Sequence, residues 1–166
     1  MTRSSVGASL GFIGIITIIV VILNLPHIQI QTKNLDNLYI SYDKKLIIDD
    51  IVVWNRGGTV GGNLFFVPNV CLYASVDRNI SCIHKGYNQN NPCSTGICEN
   101  VESGELSSSD RLELTFPKDN LENFTINITA KAYISSLKIA SEVKYLNCNL
   151  NKTNDLYFCI EENPNT

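Results

Sequence analysis

The chain has 166 residues, 44% of them hydrophobic, with six cysteines and a net charge of −3. Arg3 is the one charged side chain before Lys33, so twelve of the thirteen basic residues stand against all sixteen acidic ones beyond Thr32. That balance excludes a broad basic surface for nucleic acid and makes the later part mildly acidic.

Val6 to Leu25 is a run of twenty apolar or small residues, polar only at Ser9, Thr17 and Asn24. At about 1.5 Å per helical residue it matches a hydrocarbon core of roughly 30 Å, and it lacks the polar stripe of a soluble helix. The pattern predicts a transmembrane helix over residues 1–25, with Arg3 and the amino terminus cytoplasmic and the soluble part extracellular. A cleaved secretory signal is the alternative. The run is longer than a usual signal core, and Asn24-Leu-Pro-His-Ile-Gln offers no small-X-small cleavage site. Cleavage ahead of the run, as prepilin-type peptidases perform, stays open. Gly7, Gly11 and Gly14 put small residues near one face, and Gly7–Gly11 is a GxxxG spacing that lets membrane helices pack closely. The plainer reading is that glycine is common in membrane helices.

Pro26 ends the helix. Residues 26–36 then read as a juxtamembrane linker or strand, with Ile28 and Ile30 alternating against glutamines. From residue 37 to 166 the period is two. Lys45 to Trp54 has two apolar patches around Asp49-Asp50, which predicts a bent strand or two short ones. Calcium binding or an acid pair at these aspartates is the rival to an exposed kink. Asn55-Arg-Gly-Gly58 is a turn, and the glycines at 57, 58, 61 and 62 lack the Lys-Ser/Thr of a phosphate loop. Pro68 marks an edge or bulge. Val76 to Ser109 reads as a long loop with at most one short strand. Arg111–Phe116 and Phe124–Ile134 alternate cleanly, and in the next strand Leu137, Ile139, Val143 and Tyr145 are expected to oppose Lys138, Glu142 and Lys144. Seven to nine short strands predict an Ig-like antiparallel β-sandwich, so the fold class is mainly β.

The cysteines Cys71, Cys82, Cys93, Cys98, Cys148 and Cys159 all follow the apolar run, which fits an oxidising compartment. Equal spacings favour Cys71–Cys82 and Cys148–Cys159, leaving Cys93–Cys98. The metal alternative, Cys82, His84, Cys93 and Cys98, lacks paired zinc knuckles. Four sequons, at Asn79, Asn123, Asn127 and Asn151, are candidate N-glycosylation sites on the same side of the membrane. His84 is the only histidine beyond the interface residue His27, and no HExxH or GxSxG occurs. No catalytic constellation or cofactor is therefore expected.

Ile51-Val-Val-Trp-Asn-Arg-Gly-Gly and Asn69-Val-Cys-Leu-Tyr, with Gly104-Glu-Leu-Ser and Arg111-Leu-Glu-Leu-Thr-Phe, resemble bacterial and archaeal Ig-like adhesion modules across Leu46 to Ile134. The glycine-spaced anchor with its short leader, followed by a β domain, resembles the archaeal pilin-like class, including the FlaF and FlaG archaellum stator proteins. Pro26 departs from that class by stopping the helix. The resemblance implies a small tethered domain contacting a filament or the S-layer. The anchor, the sequons and the missing catalytic constellation together make the expected protein a non-enzymatic, single-pass surface component, with the bilayer, surface proteins or another copy of itself, and N-linked glycans as partners. The alternative is a ligand-binding or adhesion module using the 76–109 loop. His27–Thr32 as a donated strand between subunits is a variant of the first reading.

Overall fold

The computed structural model describes residues 13–17, 26–33, 35–36, 38–41, 44–56, 67–78, 80–86, 90–102, 110–116 and 123–162. Numbered in chain order, the strands form two antiparallel sheets. The first has the order β1 (Ile28–Gln31), β3 (Lys45–Asn55), β8 (Asp110–Thr115), β5 (Ser81–Lys85), β6 (Asn90–Pro92). The second has the order β2 (Leu38–Tyr39), β11 (Leu156–Glu162), β10 (Leu137–Asn151), β9 (Asn123–Ile134), β4 (Asn69–Val76), β7 (Ile97–Asn100).

Alternation makes the core. Phe124, Ile126, Ile128, Ala130 and Ala132 of β9 are buried, while Thr125, Asn127, Thr129 and Lys131 between them are only partly so. Leu46, Ile48, Ile51 and Val53 of β3 and Leu112 and Leu114 of β8 complete one cluster with them. Residues of period two on facing sheets bury their apolar faces together, which is a β-sandwich. Phe116, Phe124 and Tyr157 close it with ring centroids 5.4 to 5.8 Å apart.

The Asp49-Asp50 kink is a β-bulge. Leu46 and Ile48 point inward, then Ile51, Val53 and Asn55 do, so one extra residue is inserted. The β3–β8 register shifts between Ile48 and Ile51, and Asp50 has φ 57°. The bulge keeps both apolar patches of β3 on the core side.

Residues 28–31 are built into the sandwich. β1 pairs with the second half of β3, from Ile28 opposite Asn55 to Gln31 opposite Val52, and Ile28 and Ile30 are buried. The strand is held within its own chain.

Two expectations are corrected here. First, Val143 and Tyr145 lie on the outer face, and Glu142 and Lys144 on the inner. Directly opposed residues of an antiparallel pair share a face. Val143 opposes Thr129 and Tyr145 opposes Asn127, while Leu146 opposes Ile126 and Cys148 opposes Phe124. The unbroken apolar face of β9 sets the parity, and a register shift between Lys138 and Ala140 separates Leu137 from that pattern.

Second, the segment 76–109 is not a loop with at most one strand, since β5, β6 and β7 lie within it. The disulfides explain its order. They are Cys71–Cys98, Cys82–Cys93 and Cys148–Cys159, so Cys71–Cys82 and Cys93–Cys98 do not form. Cys71 stands opposite Lys131 on the outer face of its sheet, whereas Cys82 stands opposite the core residue Leu114 on the inner face of the other, so their side chains point away from a common bond. Cys71 instead meets its register partner Cys98 on β7, as Cys148 meets Cys159 on β11. The Cys82–Cys93 bond sits inside the Cys71–Cys98 loop, and the Ala74 amide donates to the Cys93 carbonyl at 3.0 Å. Gly96, with φ 73°, makes the return turn into β7.

Among the described residues no helix is long and apolar enough to cross a membrane. Of the run expected to do so, only residues 13–17 are described, and they are helical.

Candidate functional site

The oxidised cysteines leave no thiolates for a metal at Cys82, Cys93 and Cys98. Among the described residues no group of three or more His, Cys, Asp or Glu is placed to hold a metal ion. His84 lies on β5 and is fully buried. Asp49 is exposed and bonded to Arg111 at 2.5 Å, so the kink carries an ion pair.

Among the described residues, the outer face of the first sheet carries a buried charge at Glu113. Glu113 is 7% exposed, with Lys85 Nζ at 2.5 Å and Lys45 Nζ at 4.0 Å. The hydrogen bond from Lys85 holds its carboxyl below the usual carboxylate range against the opposing effect of burial.

The sequons fall in different settings. Asn123 and Asn151 are exposed. Asn151 opens the β10–β11 turn, where its Oδ1 accepts the Thr153 amide at 3.0 Å. Asn127 is half-buried on central strand β9, between Ser75 and Tyr145, and its Oδ1 accepts the Thr129 hydroxyl at 3.1 Å. Asn79, like Gly7 and Gly11, lies outside the described residues. Gly14 is helical, and an added Cβ would meet nothing within 4 Å.

Sequence reasoning missed an open polar groove of about 390 Å³ where β1 passes the first half of β10. Pro26, His27, Gln29, Arg56, Ser141 and Glu142 are among the residues that line it. Arg56 is placed by two contacts: its amide donates to the His27 carbonyl at 2.7 Å, and its guanidinium carbon lies 4.5 Å from the Trp54 ring centroid. Glu142 is placed by the inverted parity of β10, and its Oε2 accepts the Ile30 amide at 3.1 Å. Burial raises the Glu142 carboxyl above its ordinary value, against the lowering effects of the Ile30 amide, Lys144 and His27.

Glu142 belongs to a polar rim on the inner side of the second sheet. Lys144 Nζ lies 2.8 Å from Glu161 Oε1, which also accepts the Thr32 hydroxyl. Burial pushes Glu161 up, but these two bonds and the Lys144 charge leave it lowered. Gln29 and Trp54 are opposite partners in the β1–β3 register. Gln29 Oε1 and Trp54 Nε1 are buried without a hydrogen-bond partner among the described residues.

Compared with protein-family models, curated proteins and solved structures, the chain matches none.

Proposed function

We propose that this chain is a non-enzymatic, single-pass membrane protein. Its extracytoplasmic, Ig-like β-sandwich serves as a structural or interaction component of a cell-surface assembly of the pilus, archaellum or S-layer kind. The carrying observation is the junction between apolar run and sandwich. Only Pro26 and His27 separate Leu25 from β1, whose isoleucines are buried in the domain. Ile13, Ile15 and Ile16, helical residues of the run, are exposed and apolar, as side chains facing lipid would be. The three disulfides fit an oxidising compartment.

The test uses the full chain expressed in a membrane-bearing host. It is expected to stay in the membrane fraction through alkaline carbonate extraction and to be cleaved by protease added from the outside. Cross-linking on intact cells is expected to give higher-mass species. Release of intact chain into the carbonate supernatant would overturn the anchor, and an uncross-linkable monomer would overturn the assembly role.

A further inference from the structure

We propose that an N-linked glycan on Asn123 lies across the outer face of the second sheet, its two innermost sugars passing over Asn149 to rest on the ring of Phe158. The proposal rests on the extracytoplasmic reading above, which exposes the sequon to glycosylation. Asn123 of β9 opposes Asn149 of β10, and Asn149 opposes Phe158 of β11. Directly opposed residues of antiparallel strands share a face, so the three side chains form one row. Neighbouring strands lie about 4.8 Å apart, so the row covers about 10 Å, a length that two linked sugar rings span.

The row is polar at its start and apolar at its end. A groove of about 190 Å³ lies at its start, with Asn123, Asn149, Asp77 and Arg78 among the residues that line it. One wall is fixed, because Asp77 Oδ1 accepts the Thr125 amide at 2.8 Å. The Asn149 carboxamide and the Arg78 guanidinium offer donors, and the amide oxygen of Asn149 an acceptor, to sugar hydroxyls. At the other end Phe158 is 37% exposed, and Ile160, two residues on and on the same face, is 56% exposed. The C–H face of a sugar ring laid on this pair removes apolar surface from water. Asn127, the other sequon on this face, is set differently. It is half-buried in mid-strand and bonded to Thr129, whereas Asn123 is exposed at the first residue of β9.

Full-length parent, Asn123→Gln, Phe158→Ala and the double variant are expressed in a glycosylating host. The same four chains from a bacterial periplasm, without glycan, subtract the effect of the substitutions themselves. Phe158 is exposed, so its replacement keeps the fold. The glycan on Asn123 is expected to raise the melting temperature by about 3 °C in the parent and to leave it unchanged in the Phe158→Ala background. An equal rise in both backgrounds, or none in the parent, would overturn the proposal. So would an unoccupied Asn123 in protein modified at Asn151, a result that leaves the extracytoplasmic reading standing. Modification at no sequon would overturn that reading and the proposal together.

Discussion

The Glu142 carboxylate accepts the Ile30 amide at 3.1 Å, joining a strand of one sheet to a strand of the other. β1 is the edge of its sheet, and a side chain takes the place of a further strand on its open side. Because burial raises this carboxyl, the folded state holds its proton more tightly than the unfolded chain. The contribution is fully present below the ordinary glutamate range and is lost as pH rises through the raised folded value. Glu142→Gln keeps an oxygen for Ile30 and removes the charge. Its melting temperature is expected to equal or exceed that of the parent at pH 7, with the difference shrinking toward pH 4. A variant clearly less stable at pH 7 would refute this.

Glu113 has the opposite sign. Its carboxyl is lowered by Lys85, so the stability it contributes is present above the ordinary glutamate range and is lost as pH falls through the depressed folded value. Glu113→Ala is expected to cost about 1–2 kcal/mol in urea unfolding at pH 7, because Lys85 can turn to water once its partner is gone. The loss should narrow in acid.

Non-reducing peptide mapping is expected to recover Cys71–Cys98, Cys82–Cys93 and Cys148–Cys159. Replacing Cys82 and Cys93 together by serine should lower stability by up to about 3 kcal/mol, the value for a loop of this order. A Cys71–Cys82 peptide would contradict the placement of Cys71 on the outer face of its sheet and of Cys82 on the inner face of the other.

Gly96 cannot be replaced cheaply. A Cβ there would come within 2.5 Å of the Leu72 carbonyl oxygen and 2.8 Å of the Tyr73 ring, at a φ that side chains disfavour. Gly96→Ala is expected to destabilise by about 2 kcal/mol in thermal or urea unfolding. A neutral result would mean that the turn into β7 is built differently.

Glycopeptide mass spectrometry after expression in a glycosylating host is expected to show higher occupancy at Asn151 than at Asn127. Asn151 stands on an exposed turn, whereas Asn127 has strands on both sides. Equal occupancy would show that modification precedes folding of β9.

What could be read in advance depended on how far local pattern agreed with tertiary demand. The apolar face of β9 needed only its own alternation. The two patches of β3 already suggested a break, because no single parity buries Leu46, Ile48, Ile51 and Val53 together. β10 misled because Val143 and Tyr145 are the bulkier alternating set. Pairing with β9 outweighed their hydrophobicity and left Val143 38% exposed. The strands of 76–109 were hidden for another reason. β5, β6 and β7 are short and rich in Asn and Cys, and covalent bonds supply much of what apolar burial supplies elsewhere. The cavity was invisible for the same reason as the β10 parity. Glu142 reads as a solvent-facing charge until its strand is inverted, and nothing in a linear pattern brings it to Arg56, 86 positions earlier.

The brevity of the Pro26-His27 junction sets a mechanical limit. Two extended residues span at most about 7 Å, less than the width of one helix with its side chains. With the apolar run held in a bilayer, a β-sandwich on so short a leash would not sweep out a volume in search of a partner. Where the apolar run lies in a bilayer, the domain must ride close to the headgroups, and its lateral travel becomes that of the lipid around it. Lengthening that junction with a flexible Gly-Ser insert would free the domain's orientation without touching a single core residue.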